Sequence, residues 1–120
     1  MTIFRRLVLS GSGAALVLAS FFCGVSAQTT KFDGRQLFLD PRKGNCAACH
    51  QVSGDSSTGK GRIGPDLAGV KGRYPDRTQL RAAVWDLSAT LPNTIMPPYG
   101  KHRILTEIEI DAVVQYLESL

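Results

Sequence analysis

The sequence predicts an all-α domain on three observations: two segments with capping residues ahead of apolar positions at helical spacing, connections rich in glycine, serine and proline, and no alternating apolar-polar run of strand type. In chain order, the first expected helix is short, running from Asp33 to Leu39 and stopped near Pro41. The stretch from Ser53 to Gly64 reads as a loop. Asp76-Arg77-Thr78-Gln79 has the form of a capping box, with Leu80, Val84 and Leu87 following on one face and Trp85 beside them. The last helix, residues 107–119, is announced by the capping box Thr106-Glu107-Ile108-Glu109, and Ile110, Val113, Val114 and Leu117 form its apolar face. No internal repeat or low-complexity block interrupts this order.

Ahead of the domain, Arg5 and Arg6 precede an apolar run ending at Phe21-Phe22, and no acidic residue occurs before Asp33. Residues 1–27 are therefore expected to be a secretory signal peptide, cleaved after Val25-Ser26-Ala27 and before Gln28. Glycines and serines dilute the run, so no stable membrane span is expected in the mature chain. Cys23 is the alternative lipid-attachment site, although Phe21-Phe22 before it match such a site poorly. Residues 28–120 remain, 93 residues forming one domain in the periplasm. A domain of this size buries only about two-thirds of its unfolded surface, so a bound apolar body would help it to hold together. Its 12 basic and 10 acidic residues give a weak charge imbalance that lends nucleic-acid binding no support.

Chemistry concentrates in Cys46-Ala47-Ala48-Cys49-His50, a C-x-x-C-H sequence and the attachment signature of c-type haem. Thiols three residues apart on a helical turn lie on one face, where each can add to one haem vinyl group. His50 is then carried beneath the iron as proximal ligand. Three other readings of the pair compete. A structural zinc site needs four ligands, and His102 is the one further histidine in the chain. A redox disulfide of thioredoxin type needs a βαβ setting that the pattern lacks. A plain structural disulfide leaves the adjacent His50 as coincidence.

Met96 is the single methionine of residues 28–120, 46 positions beyond His50 and followed by Pro97-Pro98. Fixed φ angles at the two prolines limit its drift, which suits a thioether serving as sixth iron ligand. The competing readings are that Met96 fills core space, or that His102, flanked by Lys101 and Arg103, is the ligand instead.

These residues, together with Gly64-Pro65-Asp66-Leu67, Arg73-Tyr74, Leu80-Arg81, Val84-Trp85-Asp86, Met96-Pro97-Pro98-Tyr99-Gly100 and Leu105-Thr106, resemble the SoxX family, the monohaem subunits of the SoxAX cytochromes of sulfur oxidation. The likeness runs from about Phe32 to Leu120. It implies a class I cytochrome c fold, a small helical domain wrapped around one covalent haem c, with His50 and Met96 as axial ligands to the iron. It also implies that the Pro65 carbonyl accepts a hydrogen bond from the His50 ring, fixing the ligand's tautomer; the alternative is that Gly64-Pro65 is only a turn. Arg73 and Tyr74 are candidates for the haem propionates or for solvated positions.

In that family the complex couples thiosulfate oxidatively to a cysteine of the carrier SoxYZ, an L-cysteine S-thiosulfotransferase activity. With Cys46 and Cys49 spent on haem attachment, no catalytic residue is expected on this chain, and the sulfur chemistry would sit on a monohaem or dihaem SoxA-like partner. The chain would be the electron outlet of such a heterodimer, passing electrons to a soluble cytochrome. A free-standing periplasmic cytochrome shuttling electrons between respiratory proteins is the alternative. The two differ in surface: a subunit hides an apolar patch, whereas a shuttle docks through a small, wet contact. Lys60 with Arg62 and Lys101 with Arg103 could line a docking edge or attract thiosulfate, and a solvated surface is the alternative for each pair.

Overall fold

The computed structural model describes residues 32–59 and 61–120. The expected signal peptide, its cleavage point, Cys23 and Lys60 lie outside the described residues. Helices α1 (Gly34–Leu39), α2 (Val70–Arg73), α3 (Arg77–Asp86) and α4 (Glu107–Glu118) account for the regular structure, with single 3₁₀ turns at Cys46–Ala48, Ser56–Thr58 and Leu87–Ala89. Among the described residues there is no strand, so the all-α expectation holds.

Helices α1, α3 and α4 start where a side chain satisfies free N–H groups, whereas α2 is entered through Gly69 with no side-chain cap. Asp33 caps α1 by accepting from the backbone N–H groups of Arg35 and Gln36. The box expected at the start of α4 is complete: the Glu109 N–H donates to the Thr106 hydroxyl at 3.3 Å, and the Thr106 N–H returns to the Glu109 carboxylate at 2.8 Å. At α3 the expectation is corrected. Asp76 does cap the helix, through the Thr78 N–H at 2.8 Å, but the Thr78 hydroxyl also donates to it. The Gln79 N–H donates instead to the Asp76 backbone carbonyl at 3.1 Å, so the box is not closed. Leu87, expected to extend the same face, falls in the 3₁₀ turn beyond α3, where Asp86 accepts from the Ser88 N–H and hydroxyl.

Helix α4 is the spine. Ile110, Val113, Val114 and Leu117 are buried along one face, and α1, α2 and α3 all pack on it. Leu37 and Phe38 from α1 meet this face, with Phe38 edge-on to Tyr116 at 5.5 Å between ring centres. Leu80 and Val84 are the buried residues of α3. Its exposed side is tied to α4 by Arg81, which donates to Asp111 at 2.7 Å and Glu107 at 3.2 Å while lying over the Trp85 ring.

Glu109 is 4% exposed, and its partners explain how a carboxylate is tolerated there. Burial raises its carboxyl, but Lys43 at 2.7 Å and the Thr106 N–H and hydroxyl more than offset that, leaving it below the usual glutamate range. Its contribution to stability is therefore complete above the unfolded-state value of about 4.3 and is lost as pH falls from there toward the folded value. Replacing Thr106 by Ala should cost the holoprotein about 1 kcal/mol, read as a lowered denaturant midpoint at neutral pH. The same comparison for Glu109→Gln should show a deficit at pH 7 that narrows on acidification below about 4.3. A deficit that widens with acid would contradict this assignment of the carboxylate.

Candidate haem site

The helices do not close on one another completely. A cavity of about 790 Å³ lies between α3, α4 and the two long connections, within the roughly 300–1,000 Å³ range of small-molecule sites. Phe38, Leu80, Val84, Val113 and Leu117 give it apolar walls. Cys46, Cys49, His50, Pro65 and Met96, scattered over half the sequence, all border this one space. His102 does not border it; the side chain is exposed, and the residue's N–H closes a turn onto the Pro98 carbonyl at 3.0 Å.

The geometry at the cysteines departs from the expected α-helical turn in a useful way. Cys46–Ala48 is a 3₁₀ turn entered through Asn45 in the left-handed region, φ 46°. In that geometry residues three apart eclipse one another, which puts both sulfurs on one side. The Cys49 and His50 N–H groups both donate to the Cys46 carbonyl, at 3.1 and 2.8 Å, so His50 follows directly under the pair. Both cysteines are free thiols. Burial pushes the Cys46 thiol up to about 11, in keeping with its place in an apolar wall.

The imidazole is held from two directions. Its Nδ1 lies 2.7 Å from the Pro65 carbonyl oxygen, and because a carbonyl can only accept, Nδ1 carries the proton. Nε2 is left with its lone pair, the tautomer that a metal ligand needs. Gly64 fixes the ring's position sterically, since a Cβ there would sit 2.2 Å from His50 Cε1. The motif that admitted a mere turn thus carries the contact that the resemblance implies.

Asp66 anchors the same segment. Its carboxylate accepts from the Ser53 hydroxyl, from the N–H groups of Ala68 at 2.8 Å and Ser53 at 3.1 Å, and from the Gln51 amide at 3.0 Å. These bonds, with the Ser53 hydroxyl foremost, hold its carboxyl well below the usual carboxylate range. Arg73 and Tyr74 border the cavity, and Arg73 donates to the Asp66 carbonyl at 2.6 Å.

The second connection, carrying Met96, is fastened at its ends. Thr94 accepts from the Met96 N–H at 3.2 Å. Further on, the Gly100 and Lys101 N–H groups converge on the Trp85 carbonyl at 3.1 and 3.4 Å, and the Lys101 ammonium donates to Asp86 at 2.8 Å. Gly100 lies flat on the indole, where a Cβ would be 2.1 Å from Trp85 Cε3. Tyr99, 7% exposed, donates its hydroxyl to the Gly44 carbonyl at 2.7 Å and so joins this connection to the segment leading into Cys46. Asp66, Gly100 and Tyr99 stood in quoted motifs, but nothing in a linear pattern assigns them these partners.

The residues fit a covalently held haem. The walls are apolar, two free thiols share one side, and an imidazole nitrogen and a thioether are available. No group of three or more His, Cys, Asp and Glu among the described residues is placed to hold a metal ion unaided. An iron at this site would therefore depend on equatorial ligands that a macrocycle brings with it.

Fold and cavity together define a small helical haem-binding domain. The chain belongs to the cytochrome c family, whose model, described as Cytochrome c, matches residues 33–120. An uncharacterized lipoprotein of Aquifex aeolicus (strain VF5) is 35% identical to it over 79 residues. The matched stretch is 65% of this chain and 37% of that protein, so the chain spans well under half of the relative's length. Membership gives a class I cytochrome c-like fold of the kind that carries covalent haem c with its iron. When bound, haem would supply a one-electron couple; Cys46, Cys49, His50 and Met96 are the residues that would hold it, within an apolar surround.

Two glycines test the steric part of this site. Gly64→Ala should displace the His50 ring and sharply reduce the yield of low-spin holoprotein. Gly72→Ala, where an added Cβ meets nothing within 4 Å, should leave both yield and spectrum unchanged. Equal spectra for the two variants would remove Gly64 from the account.

Proposed function

We propose that this chain is the monohaem electron-transfer subunit of a SoxAX-type complex, taking electrons released when thiosulfate is joined to a carrier-protein cysteine and delivering them to a soluble cytochrome. The observation that carries this reading is the placement of Cys46 and Cys49 together on the haem cavity. Both thiols are then spent on one haem, so sulfur transfer falls to the partner and this chain handles electrons only. The combined Gly-Pro-Asp-Leu, Trp-Asp and Met-Pro-Pro sequences support the same assignment.

In this reading Cys46 and Cys49 would form the two thioethers, and His50 and Met96 would hold the iron. The Pro65 carbonyl keeps His50 in the ligating tautomer. A thioether favours reduced iron and raises the potential relative to a second histidine.

The chain is proposed to act in the periplasm. The name of its Aquifex relative supports the alternative reading of the N-terminus, a lipid on Cys23 in place of cleavage before Gln28. Intact mass of the isolated protein separates the two.

Expression with its genomic neighbours and mild purification should yield a stable one-to-one complex with a second, larger haem protein. A monomer that persists at micromolar concentration would overturn the subunit assignment and leave the shuttle. Met96 ligation is read independently. The oxidised protein should show the long-wavelength sulfur-to-iron charge-transfer band, and Met96→Ala should abolish it while the thioether-bound haem remains.

A further inference from the structure

We propose that Asp66 is a positioning residue for the iron ligand: its carboxylate sets the orientation of the Pro65 carbonyl, and through that hydrogen bond the basicity of His50. The direction of the Pro65 carbonyl depends on the torsions either side of the peptide joining Pro65 to Asp66. The proline ring restricts its own φ. That leaves ψ of Pro65 and φ of Asp66 to aim the carbonyl, and the Asp66 side chain is fixed by donors from residues on both sides.

Those donors are not interchangeable. Oδ1 accepts the N–H groups of Ser53 at 3.1 Å and Ala68 at 2.8 Å, and Oδ2 accepts the Gln51 amide at 3.0 Å and the Ser53 hydroxyl. Three of the four come from the segment that begins immediately after His50. The carboxylate therefore ties the residues following the ligand to the residue following the ligand's acceptor. Two backbone bonds complete the pairing, Gly64 N–H to the Cys49 carbonyl and Leu67 N–H to the Gln51 carbonyl, both 2.9 Å. His50 and Pro65 sit between them and meet at 2.7 Å.

A strong, well-aligned bond from Nδ1–H makes the imidazole a better donor at Nε2 and stabilises oxidised iron. Loosening the acceptor does the reverse. The inference rests on His50 being an axial ligand, which the low-spin spectrum of the unmutated holoprotein tests before any variant is made.

The test compares Asp66→Ala and Asp66→Asn holoproteins. Asn keeps Oδ1 for both backbone donors, and its amide can donate to the Ser53 hydroxyl and to a Gln51 side chain turned to present its carbonyl oxygen, so it should behave as the parent does. In Asp66→Ala the His50 ring N–H of the reduced protein should exchange with solvent at least about fivefold faster by NMR, and the midpoint potential should rise. Unchanged exchange and potential in Asp66→Ala, with only lowered stability, would overturn the proposal, as would an Asn variant that shifts as Ala does. If Asp66→Ala fails to mature, the double variant Gln51→Ala with Ser53→Ala must move both readouts in the same direction by a smaller amount. No movement there would also overturn it.

Discussion

The hydrogen bond from His50 Nδ1 to the Pro65 carbonyl is the constraint on which the rest of the site depends. It lies between two segments fifteen residues apart in sequence, 49–53 and 64–68, laid side by side by backbone bonds and by the Asp66 carboxylate. Bringing them together costs loop-closure entropy for the connection between them. That connection holds itself in shape with its own 3₁₀ turn, where Asp55 caps Ser57 and the buried Thr58 hydroxyl accepts from Val52 N–H at 3.0 Å. The stretch that looked like a featureless loop is thus a braced spacer. Its length and its polar residues serve to present one carbonyl to one imidazole.

A second consequence concerns the core. Leu80, Val84, Val113 and Leu117 would in most small helical domains bury themselves against each other across the interior. Here they line a cavity with room for a large planar group. Small domains bury too little surface to hold together easily, and a covalently attached apolar body turns these wall residues into a continuous core. The helices are also fixed by contacts away from the cavity: Arg81 with Asp111 and Glu107, and the Thr106-Glu109 box backed by Lys43. Fold and cofactor share the same residues, which is why the helix pattern and the C-x-x-C-H motif point to one architecture.

Much of this was legible in the sequence, and what was not has a common cause. Helix existence, the Thr106 box and the haem-attachment residues are local properties, written within five or six consecutive residues. The small helix α2 was missed because Val70–Arg73 is a single turn entered through Gly69 at φ 65°, with no periodicity to detect. The Asp76 box stays open because Thr78 offers the carboxylate a nearer N–H and hydroxyl, while the Gln79 N–H turns to the Asp76 carbonyl. Asp66, Gly100 and Tyr99 act on residues 13 to 55 positions away, so their roles exist only once the chain has folded.

The two sides of the cavity are built to different stiffness. On the histidine side, every residue from Cys49 to Ser53 except Val52 bonds to a residue between Gly64 and Asp66 or to Leu67, and Val52 is itself buried and bonded to Thr58. Any displacement of the ring must break several adjacent bonds at once. On the methionine side, Met96 hangs between Thr94 and the Trp85-Gly100 junction, with Pro97 and Pro98 supplying restricted φ but no N–H to pair. Its restraint comes from torsion and from anchors two and four residues distant. Segments with fewer local bonds open at lower free-energy cost. A site of this kind holds the His50 ring in place through small motions of the domain and concentrates its compliance around Met96.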